Sequence, residues 1–100
     1  MAKYVVLVNF TDQGVRTAKD TVKRFEQARD AFQKKNVSFD NVYWTLGRHD
    51  IVAILDAPDD ETIAAALLQL GAAGNVNTET LRAFTAEEMG GILAVTRGQG

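Results

Sequence analysis

The chain has 100 residues, 46% of them hydrophobic, with 11 basic and 13 acidic side chains for a formal charge of −2. That length suits one domain with a packed core, and so even a balance leaves no basic footprint for nucleic acid. Cysteine is absent, which excludes disulfides, thiolate nucleophiles and cysteine-held metal.

The opening Met1-Ala2-Lys3-Tyr4 runs straight into an apolar segment. It lacks the charged start, long apolar stretch and cleavage site of a secretory leader. No run reaches the ~20 apolar residues of a membrane span, so a cytoplasmic protein that engages no membrane is expected. "KYVVLVNF" (3–10) is β-branched and aromatic-rich and predicts strand one. "TDQGVRTAKDT" then reads as a polar turn with Gly14 as a hinge. A helix through about Lys35 follows, because Ala18, Val22, Phe25, Ala28 and Phe32 recur at steps of three and four. Asp20 or Thr21 supplies its N-cap, and Lys34 and Lys35 suit its negative C-terminal end.

"NVYWTL" (41–46) predicts strand two and "DIVAILDA" (50–57) strand three, joined by a short hairpin loop with Gly47 at its strained position. Pro58 breaks the strand, and Asp59-Asp60-Glu61 load an acidic first turn onto a second helix. Ile63, Leu67 and Leu70 form its core stripe, Ala64, Ala65 and Ala66 allow close approach to a sheet, and Gly71 and Gly74 offer C-caps. "NVNTETLRAF" (75–84) predicts strand four. Thr85 with Glu88 makes a capping-box start for a short terminal helix, which Gly90 and Gly91 weaken. Residues 1–96 therefore read as a single domain and 97–100 as a frayed tail.

This βαββαβ order is the ferredoxin-like α+β arrangement: a four-stranded antiparallel sheet with two helices on one face. Right-handed crossovers give the strand order 4-1-3-2. Strands one and three are apolar on both alternating faces, with Tyr4, Val6 and Val8 against Val5 and Leu7, and Ile51, Ala53 and Leu55 against Val52 and Ile54. Two helices cover only one side, so a homo-oligomer, a dimer or larger, is expected to bury the other.

The same topology gathers Asn9, Thr11, Asp12, Arg48, His49, Asp50 and Asn75 at one end of the sheet. No other part of the chain collects so many different polar groups. Gly47 and Asp50 have a plain turn reading, a positive φ and a side chain that accepts from turn amides. His49, the only histidine, has two readings beyond a solvated side chain. It carries a proton near neutral pH with Asp50 orienting it, or it ligates haem iron. Tyr43 and Trp44 are either core and interface residues or the wall of an aromatic pocket, and Arg82 either holds a ligand carboxylate or forms a surface ion pair. One histidine with scattered carboxylates makes no metal set.

Three blocks, "YVVLVNFTDQG", "LGRHDIVAILDAPDDE" and "LGAAGNVNTETLRAFT", resemble the GYD-domain family of small bacterial proteins over nearly the whole chain. Gly47 and Asp50 match its signature, and His49 stands where tyrosine is usual. The resemblance implies a dimeric α/β barrel, and the family has no generally established activity; the histidine departs from any role tied to a phenolic hydroxyl and leaves open one an imidazole shares, such as donating a hydrogen bond. Asn9, Trp44 and His49 also resemble, by residue type, the side chains used by cofactor-free and haem-degrading monooxygenases of this broad fold. The leading expectation is a self-associating small-molecule-binding or accessory protein that needs no cofactor. Its ligand would lie between paired sheets or at the polar mouth by Gly47–Asp50. The alternatives are an oxygenase or isomerase, cofactor-free or haem-linked, using His49 in that cavity, and an oligomeric scaffold.

Overall fold

The computed structural model describes residues 1–98. Its elements are β1 (Ala2–Phe10), α1 (Asp12–Arg16), a 3-10 turn (Ala18–Asp20), α2 (Thr21–Gln33), β2 (Ser38–Trp44), β3 (Ile51–Ala57), α3 (Asp60–Ala72), β4 (Val76–Ala83) and α4 (Ala86–Gly98). The strands form one four-stranded sheet in the order β2-β3-β1-β4, with each neighbouring pair antiparallel. This is the expected ferredoxin-like order, read from the opposite edge.

Alternation along β1 and β3 decides what the helices cover. Tyr4, Val6, Val8, Ala53, Leu55 and Ala57 are buried on the helix side, where Phe32, Ile63, Ala66 and Leu67 close over them. Val5, Leu7, Val52 and Ile54 point the other way and remain half-exposed. The register sets Val5 between Ile54 and Leu81, and Leu7 between Val52 and Glu79. Of the alanines on α3, Ala66 touches the sheet, while Ala64 and Ala65 face solvent. On α2 the stripe is cut short, with Phe32 buried, Phe25 and Ala28 half-buried, and Val22 exposed.

The local signals act as their chemistry requires. Asp59 caps α3 by accepting from the Thr62 amide at 2.8 Å, and its bonds to Thr62 hold its carboxyl below the usual carboxylate range. Thr85 and Glu88 exchange hydrogen bonds at 3.1 and 2.8 Å, the reciprocal start of α4. Gly74, at φ +87°, ends the α3 segment, whereas Gly71 lies inside the helix.

Several boundaries differ from expectation. The polar stretch after β1 is not a hinge. Thr11 caps a single α-helical turn there, and Gly14 is buried within it. β2 starts at Ser38 rather than 41, because Phe39 packs its ring on Phe25 and Phe32 while Asp40 bulges out of register. Asn36, at φ +63°, makes the reversal that precedes it. α4 reaches Gly98, so Arg97 and Gly98 continue a helix, and Gln99 and Gly100 of the expected tail lie outside the described residues. That helix does not fold back over the sheet: every residue from Ala86 to Arg97 is exposed.

Tyr4 ties the core to α3 by donating its hydroxyl to Asp60. Burial first, then this hydrogen bond, push the phenol up to about 12. The neutral phenol is thus favoured in the folded chain, so its stabilisation is complete below the unfolded value near 10 and is lost as pH rises through about 12. Tyr4→Phe should be about 1 kcal/mol less stable at neutral pH. Thermal unfolding should show the wild type losing this advantage over the alkaline interval, and a gap independent of pH would refute the assignment.

Candidate functional site

The hairpin between β2 and β3 is closed by Thr45. Its amide donates to the Asp50 carbonyl at 2.8 Å and its hydroxyl to the His49 carbonyl at 2.6 Å. Gly47 takes φ +102°, as the turn requires. Leu46 and Arg48 stand exposed at the tip. Asp50 extends the sheet: its amide donates to the Val8 carbonyl at 2.9 Å, and its carboxylate accepts from the Phe10 amide at 2.8 Å.

His49 is held by Asn9 rather than by Asp50. The Asn9 amide nitrogen donates to the Arg48 carbonyl at 2.9 Å, which turns Oδ1 toward His49 Nδ1, also at 2.9 Å. An oxygen in that place accepts, so Nδ1 is the ring nitrogen that donates to Asn9. Asp50 turns its carboxylate to the Phe10 amide, so the ring is oriented by Asn9 and not, as expected, by Asp50. Among the described residues no cluster of metal ligands occurs, and no helix is long and apolar enough to cross a membrane.

A second contact anchors the β1 end to the loop before β4. Thr11 donates its amide to the Asn75 carbonyl at 3.0 Å and its hydroxyl to the Gly74 carbonyl at 2.6 Å. Gln13 reaches the Ala73 carbonyl and Asn75 Oδ1 at 3.1 and 3.0 Å. Gly14 packs so closely that a Cβ there would lie 1.9 Å from the Asn75 carbonyl oxygen. Only a glycine allows this approach.

The remaining candidates separate. Trp44 and Asn75 line a cavity of about 290 Å³ on the helix side of the sheet, beneath α2, to which His49, Asn9 and Arg48 do not contribute. Its walls are mainly apolar, with Phe25, Ala28, Phe39, Val42 and Ala53 prominent. The rings explain the space. Phe25 meets Phe39 and Trp44 edge-on at 5.2 and 5.9 Å, propping α2 off the sheet, while the small Ala28 and Ala53 leave the gap unfilled. Trp44 also donates its indole N–H to Thr21 at 3.0 Å.

Tyr43 lies exposed on β2 opposite Val52, on the uncovered side of the sheet. Asp12 is exposed at the start of α1. Arg82 lies at the far end beside Tyr4, ~20 Å from the hairpin at ~3.3 Å per strand residue. It donates to the Lys3 and Ala83 carbonyls, with its guanidinium 4.6 Å from the Phe84 ring centre. The same end of the open face carries an ion cluster, Lys3 with Asp40 and Asp56. Hydrogen bonding to Asp40, then to Asp56, raises Lys3, and the Lys3 bond holds Asp40 low.

Sequence reading brought Asn9, Arg48, His49 and Asp50 together correctly at the hairpin, but the cavity and the Gly14–Asn75 contact were missed. Their signals are slight: an alanine between two phenylalanines on α2, and a glycine in a polar stretch. Gly14→Ala should destabilise by about 1–3 kcal/mol because its wall is backbone. Gly71→Ala, with nothing within 4 Å of the new Cβ, should stabilise by about 0.5–1 kcal/mol. Urea midpoints of the two variants should move in opposite directions.

The GYD domain family profile matches residues 4–93. A protein of Thermus thermophilus, described as "Glutamine synthetase and cystathionine beta-lyase binding protein", is 30% identical over 90 residues, covering 89% of this chain and 95% of that protein. No solved structure matches.

Proposed function

The chain belongs to the GYD domain family, and we propose that it is a self-associating accessory protein that binds a larger enzyme. The observation that carries this reading is the uncovered side of the sheet. Val5, Leu7, Val52, Ile54 and Leu81 form its apolar centre, and the helices pack on the other side. Lys3, Asp40 and Asp56 frame one end of it, and Asn9 with His49 the other. An apolar centre with a polar frame is how protein interfaces are built.

Pairing two copies face to face covers both surfaces by one symmetric contact. Removing roughly 400 Å² of apolar area from water at ~25 cal/mol per Å² is worth on the order of 10 kcal/mol before the costs of association. Burial of Leu7 and its neighbours supports the pair.

α4 then serves the second partner. Met89, Ile92 and Leu93 follow helical spacing and are exposed, the pattern by which an amphipathic helix enters an apolar groove. The description of the Thermus relative supports protein partners of this kind, and we take glutamine synthetase and cystathionine beta-lyase as the first enzymes to test. A cytoplasmic setting belongs to the same proposal and fits a chain without cysteine.

Sedimentation should report twice the 10.9 kDa chain mass for the wild type and the single mass for Leu7→Glu. A wild type that sediments as a single chain overturns the pairing. The immobilised wild type should retain glutamine synthetase or cystathionine beta-lyase from the same host, and the Ile92→Asp/Leu93→Asp variant should retain about tenfold less. Retention of neither enzyme overturns the docking role.

A further inference from the structure

We infer that the helix-side cavity beneath α2 is a binding site for a small carboxylate with an apolar body, a site separate from the protein-binding surfaces above. At about 290 Å³ it lies near the lower end of the size range of ligand pockets. A space of that size suits a small ligand, on the order of ten non-hydrogen atoms. Rings and aliphatic side chains supply most of the wall, so the body of the ligand is apolar.

The head group follows from charge. Among the residues lining the cavity no side chain is acidic, and Arg24 is the single cation. Its guanidinium donates to the Thr17 carbonyl and hydroxyl at 2.9 and 2.8 Å and to the Gly14 carbonyl at 3.2 Å. All these acceptors are neutral, and Arg24 forms no ion pair among the described residues. A guanidinium fixed by neutral acceptors retains its full charge at the rim.

A second donor stands beside it. Asn75 Oδ1 is occupied by Gln13, which leaves the amide N–H groups of Asn75 for a ligand. Gly14 joins the two, since its carbonyl accepts from Arg24 while its Cα packs against Asn75. Thr21 and Gln27 are the other polar side chains of the lining, and the edge formed by Arg24 and Asn75 carries a cation and an amide donor. A carboxylate there with its chain among Phe25, Val42 and Trp44 satisfies both parts.

Trp44 is the only tryptophan and lines the cavity, so its emission reports occupancy directly. Octanoate, with ten non-hydrogen atoms, is the probe; 1-octanol has nearly the same body without charge, and acetate the head alone. Octanoate should shift Trp44 emission saturably and raise the unfolding temperature, acetate should do neither, and 1-octanol should bind about tenfold more weakly. Arg24→Gln, which keeps an amide donor for the carbonyls, should erase the preference of octanoate over octanol. Ala28→Phe should fill the space and abolish the response to both, with far-UV circular dichroism showing the fold intact.

Equal binding of octanoate and octanol to the wild type overturns the carboxylate assignment, as does a preference that survives Arg24→Gln. A saturable response that persists in folded Ala28→Phe but vanishes in Leu7→Glu would place the fatty chain on the open sheet face and overturn the site itself. Should Ala28→Phe fail to fold, the Arg24→Gln comparison decides alone. Loss of pairing or of enzyme retention leaves these measurements unaffected, so the two readings fail separately.

Discussion

β1 and β3 must bury apolar side chains in two directions, and the chain has helices for only one of them. Tyr4, Val6, Val8, Ala53 and Leu55 find their cover beneath α2 and α3, whereas Val5, Leu7, Val52 and Ile54 stay half-exposed. Antiparallel sheets of this size usually solve the problem with polar residues on the outer face. Here the outer positions of the central strands remain aliphatic, with their polar residues at the two ends and Glu79 of β4 beside Leu7. Lys3 and its carboxylates occupy one end, and Asn9 with His49 the other. The polar groups therefore act as a border to the apolar centre.

The helix side shows a different compromise. Close packing would bring α2 down onto the sheet, but the aromatic contacts from Phe25 and Phe32 to Phe39, and from Phe25 to Trp44, fix its height. Ala28 and Ala53 are too small to fill what remains. Protein interiors seldom leave such space, because each missing contact forfeits dispersion energy. Arg24, tied by three hydrogen bonds to the neighbouring turn, holds the rim of the space in a fixed shape.

Sequence patterns of two kinds made the fold legible. The apolar, β-branched runs "KYVVLVNF" and "DIVAILDA" marked the strands, and short-range chemistry marked the ends of elements, at Asp59 before α3 and at Thr85 with Glu88 before α4. Both kinds act within a few residues, so both survive reading in one dimension. Where the outcome depended on partners distant along the chain, reading was less sure. The strand character of Ser38 and Phe39 comes from rings on α2, and Gly14 is dictated by a carbonyl 61 positions later, at Asn75. The hairpin cluster followed from topology, but the partner of His49 did not. Asp50 adjoins it in sequence, yet the alternation of the strand sends that carboxylate to Phe10 and leaves Asn9, on a neighbouring strand, to hold the ring.

α4 carries Gly90 and Gly91 near its middle and stands clear of the sheet. Each glycine lowers helix stability by about 1 kcal/mol relative to alanine, and a segment this short is marginal on its own in water. Part of any grip on a partner must then go into ordering backbone that solvent would otherwise let unwind. Under the docking role proposed above, such a helix suits a contact that forms and releases better than a permanent one.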